Sequence, residues 1–482
     1  MLLTLLFLLY AVLVVYTAVR ILLDTDSTPK TLAYLLLILV VPFLGILFYF
    51  ALGINYRHQR STAEGVLNQR DLDREFQREV RDHTEGLIRS GQKEIGHFGP
   101  LVDFIREIGG EHLSRNNFRL LVNGEEKFPE VLRTLQGAND FVHLEYYDWE
   151  NDTRGNQIKE VLLERMGEGV HVRVLYDDYA SRGIRKNIVK ELREAGAEVY
   201  PKIKVRLKEF ANRMNHRDHR KIIIVDGRIG FVGGINVSDR YDNSIDTGLY
   251  WRDTHVKITG PLVGSLQRHF IVSWNTSAPE KIQFSKDLFP DLESLPVADV
   301  SALGQVVAGG PIYPKSNIML SYCRIFTLAR EKLYVTNPYF IPSDSIMDSL
   351  KLAALAGVDV RLMVPEKSDS AIVGAASRFY FSDLLKAGVR IFLYQKGFVH
   401  AKTVVCDSRL SVVGTANMDI RSFDLNFEIM SVMYGQEFAR ELGRVFLKDL
   451  EECREVTPEE WSRLGLFRRL TYAVARLISS LL

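Results

Sequence analysis

The chain has 482 residues and a formal net charge of +1 at pH 7. That is long enough for two domains with a substantial core, and it leaves no global field to draw nucleic acid. The three cysteines, Cys323, Cys406 and Cys453, are odd in number and widely spaced, which speaks against a disulfide framework or a zinc site.

Residues 2–19 and 31–53 are apolar almost throughout. Each is long enough to cross a bilayer core of about 30 Å as a helix. No Lys or Arg precedes the first run, and a second run follows at once, unlike a signal peptide. The expectation is a transmembrane helical hairpin over residues 1–55, with helices near 2–22 and 31–53. Arg57 and Arg60, just beyond the second run, then place both chain ends on the cytoplasmic side of the cell membrane. Residues 56–99 carry Leu67, Leu72, Phe76, Val80, Leu87 and Ile88 at roughly helical spacing and read as an amphipathic connector.

From about residue 100 the pattern alternates strand and helix. FVHLEYYDW (141–149) and VHVRVLYDD (170–178) read as strands, and IKEVLLERMGEG (158–169) and IVKELREAG (188–196) as helices closed by glycine. KIIIVD (221–226) is a short apolar strand. The plan returns in KLYVTNPYF (332–340), IMDSLKLAALAG (346–357), VDVRLMVP (358–365), FSDLLKAG (381–388) and KTVVCD (402–407). Residues 281–304, with Pro290 and Pro296 and no period, read as a linker. The expected fold class is therefore α/β, with lobes of similar plan at 100–280 and 305–455. The tail, 456–482, has an amphipathic pattern with Arg463, Arg468, Arg469 and Arg476. Such a helix either lies on anionic lipid or packs its apolar side on the body.

Within this plan one string occurs twice. His219-Arg220-Lys221, Asp226 and Gly233-Gly234-Ile235-Asn236 return as His400-Ala401-Lys402, Asp407 and Gly414-Thr415-Ala416-Asn417, with identical intervals. Matching spacing in two copies marks a duplicated unit. The residue types suit phosphodiester transfer. Neutral imidazole serves as nucleophile, protonated imidazole as acid, and Lys as compact positive charge for the phosphoryl oxygens. His219 and Lys221, and likewise His400 and Lys402, fall on one face of a strand. Asn236 and Asn417, in glycine-containing turns, are candidates for phosphate binding. Asp253 and Glu428 follow the two motifs and are assigned to orient the histidines. Asp226 and Asp407 belong to the catalytic motif but suit holding local backbone better than touching substrate. The second copy has no match for His216 and Asp218, so a metal site is not expected, and no cofactor is. Lys202, Lys204, Arg206, Lys208, Arg213, Arg217, Arg220 and Lys221 crowd the approach to the first motif and suggest an anion-collecting stretch.

The doubled motif resembles that of the phospholipase D superfamily. With the N-terminal apolar runs, WRDTH (251–255), GTANMDIRSF (414–423) and LNFE (425–428), the chain looks like the bacterial cardiolipin synthases. The resemblance implies two phospholipase D-like lobes related by a pseudo-twofold axis. It also implies transfer of a phosphatidyl group from one phosphatidylglycerol to another through a phosphohistidine. His219 would be the nucleophile and His400 the acid and later base, although the two could exchange. Lys221, Lys402, Asn236 and Asn417 would hold the phosphate. The commonest superfamily pattern has Ser where Gly234 and Thr415 stand here. A hydrolytic phospholipase D and a non-catalytic membrane scaffold are the rival readings. The oligomeric state is not legible.

Overall fold

The structure is a computed structural model and describes residues 2–24, 28–50, 84–202, 216–289 and 301–479. The first half contributes strands β1 (Ser114–Val122), β2 (Phe141–Tyr146), β3 (His171–Tyr176), β4 (Glu198–Pro201), β5 (Arg217–Asp218), β6 (Lys221–Val225), β7 (Ile229–Gly233), β8 (Trp251–Arg252) and β9 (Thr254–Thr259). The second half contributes β10 (Ala302–Gly309), β11 (Lys332–Thr336), β12 (Asp359–Pro365), β13 (Arg390–Tyr394), β14 (Phe398–Val399), β15 (Thr403–Cys406), β16 (Leu410–Gly414), β17 (Asn426–Tyr434) and β18 (Cys453–Val456).

A single sheet runs through both halves in the order β18-β13-β12-β11-β15-β16-β17-β10-β1-β9-β7-β6-β2-β3-β4. Read outward from the central pair, the order mirrors itself. β1 and β10 correspond, as do β9 and β17, β7 and β16, β6 and β15, and β2 and β11. The seam between β1 and β10 is antiparallel, with Ser114 opposite Gly304, as a local twofold between them requires. β10 begins inside the stretch expected to be linker.

The crossover helices form where the periodicity placed them. Thr153–Gly167 joins the parallel strands β2 and β3, and Asp344–Leu355 joins β11 and β12. Asp152 caps the first of these, its carboxylate accepting from the Gly155 amide at 2.9 Å, which satisfies a donor that has no partner within the helix. Strand alternation then builds three layers. Ile222 and Ile224 face a core shared by the two halves, whereas Ile223 and Val225 face a core made wholly within the first half. Val405 joins the shared core, and Val404 and Cys406 pack into a cluster drawn mainly from the second half.

The hairpin expectation is corrected. Among the described residues no helix is long and apolar enough to cross a membrane. The second arm fails most clearly. Its helix, Thr28–Val40, stops at Val41, and a separate seven-residue helix starts at Pro42. Proline has no amide hydrogen to continue a helical ladder and is at home in a first turn. At 1.5 Å per residue the two pieces reach about 20 and about 10 Å. The multi-pass placement at the cell membrane and the cytoplasmic side of the body rested on this hairpin and fall with it. The connector lies outside the described residues up to residue 83.

The seam leaves no room for a side chain at Gly304. A Cβ there would stand 2.6 Å from Phe118 Cζ and 3.3 Å from Leu262 Cδ2. Gly304→Val is expected to lower stability by about 1–3 kcal/mol through overpacking. The measurement is a urea midpoint shift at unchanged m value.

Candidate active site

The two copies of the motif meet across the seam through main-chain bonds. The His219 amide donates to the Phe427 carbonyl at 3.0 Å, and the His400 amide donates to the Arg252 carbonyl at 2.7 Å. The short strands follow the same exchange. β5 pairs with β17, and β14 pairs with β8.

Phe427 and Arg252 immediately precede Glu428 and Asp253, so the same clasp delivers a carboxylate to each imidazole. His219 Nδ1 lies 2.9 Å from the Glu428 carboxylate, and His400 Nδ1 lies 2.6 Å from Asp253 Oδ2. The pairing is crossed: each histidine takes its partner from the other half. Sequence order suggested the partner types but could not show the exchange.

All six central groups are buried, and burial sets the direction for the histidines and lysines. Loss of water lowers His219 to about 4, against the pull of Glu428. It lowers His400 to about 3, helped by Lys402 and opposed by Asp253. Burial also brings Lys221 down to about 8 and Lys402 to about 7. Burial alone would raise the carboxyls, but the facing histidines and lysines outweigh it, leaving Asp253 at about 2 and Glu428 below its ordinary value. At neutral pH both imidazoles are therefore neutral. Nδ1–H donates to a carboxylate, and the lone pair on Nε2 is left for chemistry. Lys402 acts on the charge of His219, and Lys221 on that of His400, as one shared site requires.

Lys221 donates to the His219 carbonyl at 2.7 Å, and Lys402 donates to the His400 carbonyl. An ammonium has three donors, so each keeps hydrogens for a phosphoryl oxygen. Asn236 gives an amide hydrogen to the Tyr241 hydroxyl at 2.7 Å. Asn236 Oδ1 and Asn417 Oδ1 are buried with no protein partner. Asp226 and Asp407 are not brought to the imidazoles. The Asp226 carboxylate accepts from the amides of Asn139, Asp140 and Phe141, and that of Asp407 from Arg330, Glu331 and Lys332, at 2.8–3.0 Å. Each pins the start of the neighbouring strand. Of the basic approach, Lys202 pairs with buried Glu145 at 3.0 Å. Arg217 lies over the Tyr179 ring at 4.8 Å. Lys204, Arg206, Lys208 and Arg213 lie outside the described residues.

Several contributors were not assigned these roles from the sequence. Buried Lys127 reaches the carbonyls of Ile235 and Asn236 at 3.3 and 3.2 Å and steadies the asparagine turn. Arg220 reaches the Glu428 carbonyl at 3.3 Å and the Tyr313 hydroxyl at 3.0 Å. The His400 ring has Trp251, Tyr241, Phe398 and Tyr339 within 5.5–6.2 Å, and Tyr147 is 4.7 Å from His219. These apolar walls thin the water around the imidazoles.

The two halves differ at the residue after the first motif glycine. The Thr415 hydroxyl donates to Glu428 Oε2 at 2.5 Å. At Gly234 a Cβ would stand 2.1 Å from Asp253 Oδ1, so glycine leaves the space this carboxylate occupies.

A family model described as cardiolipin synthase, phospholipase D-like domain, matches residues 131–272 and 322–450, and one described as phospholipase D-nuclease N-terminal matches residues 12–53. A cardiolipin synthase from a Geobacillus species is 38% identical over 471 residues, covering 97% of this chain and 92% of its own. The major cardiolipin synthase of Bacillus subtilis is 35% identical over 452 residues, 93% of each chain. In fold, the chain is similar to the crystal structure of phosphatidylserine synthase from Haemophilus influenzae. The TM-score is 0.57 at 14% identity, over 79% of this chain and 97% of that one.

Gly234→Ser is expected to push Asp253 off His400 and lower kcat at least about tenfold, a loss of ~1.4 kcal/mol in the transition state. Thr415→Ser, which keeps the hydroxyl, is expected to stay near wild type. Steady-state kinetics on both variants check the pair.

Proposed function

The chain belongs to the cardiolipin synthases built on phospholipase D-like domains, and from that premise we propose how its residues carry the reaction. The reaction is a phosphatidyl transfer that yields cardiolipin. The observation that carries the assignment is the crossed clasp, which presents two neutral imidazoles, each oriented by the opposite half.

The donor is phosphatidylglycerol. Its phosphodiester adds one negative charge beside Lys221 and Lys402, whose charge burial already weakens. A nearby anion favours the charged forms of both Lys402 and an imidazole, so protons enter with the substrate, completing the charge on Lys402 and placing one on His400. The His219 Nε2 lone pair attacks phosphorus, the bond to the headgroup oxygen breaks, and the departing glycerol takes the His400 proton. Lys221 and Lys402 sit over the non-bridging oxygens, with Asn236 and Asn417 beside them. The glycerol hydroxyl of a second phosphatidylglycerol then gives its proton to His400 and attacks phosphorus. The P–N bond breaks, cardiolipin leaves, and His400 holds its proton again.

His219 is assigned the nucleophilic role, and a chain of contacts fixes its orientation. Glu428 holds it, Thr415 holds Glu428, and Arg220 grips the Glu428 carbonyl. In-line attack depends on such fixing. The aromatic residues around His400 keep water scarce where the second hydroxyl must compete with it.

An activated donor separates the roles of the histidines. A phosphatidyl ester of p-nitrophenol needs no acid to expel its leaving group. His400→Ala is expected to release about one equivalent of p-nitrophenol per site and stop as a covalent adduct, whereas His219→Ala releases none. The opposite pattern assigns the roles the other way round. With phosphatidylglycerol each variant is expected to lose at least about 10²–10⁴-fold in rate. Purified protein given phosphatidylglycerol alone is expected to form cardiolipin and glycerol in equal amounts, and phosphatidic acid without cardiolipin would instead establish hydrolysis.

Binding of the anionic donor at pH 7 is expected to take up protons, because a nearby negative charge raises His400 and Lys402 from their depressed values. Titration calorimetry in buffers of different ionisation enthalpy measures the number and its sign. Proton release would contradict this account.

A further inference from the structure

The amphipathic tail is held to the body by one side only. In the helix Leu466–Ser479, buried Ala475 packs with Ile341 and Ala376. Tyr472 stacks on Trp461, which lies on the Phe381 ring at 5.1 Å. Arg476 covers the Phe379 ring at 4.5 Å. The large apolar residues are not in this contact. Leu466, Phe467, Leu470 and Val474 are 74%, 83%, 54% and 52% exposed. At 3.6 residues per turn they occupy an arc of about 100°, centred about 160° from the packed side.

Charge says what covers this stripe. Arg463, Arg468 and Arg469 are exposed along the same segment, and no Asp or Glu occurs from Arg463 to the last residue. An apolar stripe flanked by arginines is complementary to the headgroup–acyl boundary of an anionic bilayer. A helix of this length reaches about 21 Å, short of a bilayer core of about 30 Å, so it lies along the surface.

We propose that the outer face of Leu466–Ser479 is a lipid-docking surface that seats the enzyme on anionic bilayer beside its active site. The proposal deepens the phosphatidyl-transfer reading and rests on its anionic substrate. The face connects to the site through few contacts. The tail helix packs on Ala371–Phe379. Just before that helix, Asp369 accepts from the Tyr339 hydroxyl at 2.5 Å, and the Tyr339 ring lies 6.2 Å from that of His400. A helix lying flat would thus hold the wall of the His400 side near the headgroups that carry the scissile bond.

The test uses the full chain with Phe467→Cys carrying an environment-sensitive fluorophore, in a Cys323→Ser, Cys453→Ser background. The probe reports on residue 467 alone, so contacts made elsewhere in the chain do not move it. With vesicles of equal phosphatidylglycerol and phosphatidylcholine, the emission is expected to shift to the blue and to be quenched by doxyl-labelled acyl chains. Pure phosphatidylcholine, or Arg468→Glu with Arg469→Glu, is expected to remove both effects. Leu470→Ser with Val474→Ser is expected to lower kcat/KM on vesicles about tenfold and to leave turnover in detergent micelles unchanged. An unchanged emission on vesicles that support turnover would overturn the proposal. So would a shift produced by raising protein concentration without lipid, which would mark the face as a contact between copies. No cardiolipin in micelles, with the blue shift present, would count against phosphatidyl transfer and support docking on its own.

Discussion

The structure depends on an exchange of carboxylates between its halves. His219 and Glu428 belong to different halves, as do His400 and Asp253, and both pairs are backed by a main-chain bond one residue away. Neither half can therefore orient its own imidazole. Because hydrogen bonds between the halves hold both pairs, a shift at the β1–β10 seam would disturb both imidazoles together. The duplication thus forms one catalytic unit.

Burial then determines the protonation states. Removing water disfavours every charge, so the imidazoles stay neutral and the ammoniums move toward neutrality, while the carboxylates remain ionised beside them. The two carboxylates face two lysines whose charge burial weakens, Lys402 the more, at about 7. In the proposed mechanism an incoming phosphodiester adds one negative charge, which favours a full charge on Lys402 and a proton on an imidazole. In that mechanism the substrate thereby brings about the acid that its own leaving group needs. The same dryness that depresses the histidines also limits water as a competing acceptor, so one physical cause serves both protonation and selectivity.

Much of this was legible in the sequence because it is local. The repeated interval from His to Lys to Asn places those side chains on equivalent strands and turns, and the glycine-closed helices fell where their periodicity put them. What required the fold was long-range or depended on side-chain direction. No spacing argument pairs His219 with Glu428 across 209 positions. Lys127 sits on an ordinary amphipathic helix and gives no sign that it braces the Asn236 turn. The apolar run at 31–53 suggested one spanning helix, because hydropathy does not register where a helix is interrupted at Val41. For the tail, the moment showed two faces but not which of them the body takes. At Gly234 the resemblance marked only a departure from serine, whereas the fold shows space that Asp253 fills.

That last position shows how the two halves diverged without losing their common geometry. Glutamate is one methylene longer than aspartate, so Glu428 spans the gap to His219 with room for Thr415, whose hydroxyl fixes the carboxylate. The shorter Asp253 must approach its own turn closely, and the Thr254 amide fixes it at 2.6 Å. A side chain at Gly234 would occupy the place the carboxylate needs. The pairs Gly–Asp and Thr–Glu are thus two solutions to one distance, and exchanging a single member of either would break it. A comparable contrast separates Arg220 from Ala401. The arginine ties the first motif to Glu428 and Tyr313, while small, buried Ala401 packs in the shared core. The imidazoles therefore have equivalent hydrogen bonds but unlike surroundings. Those surroundings are the physical ground for proposing different tasks for the two copies on one phosphorus.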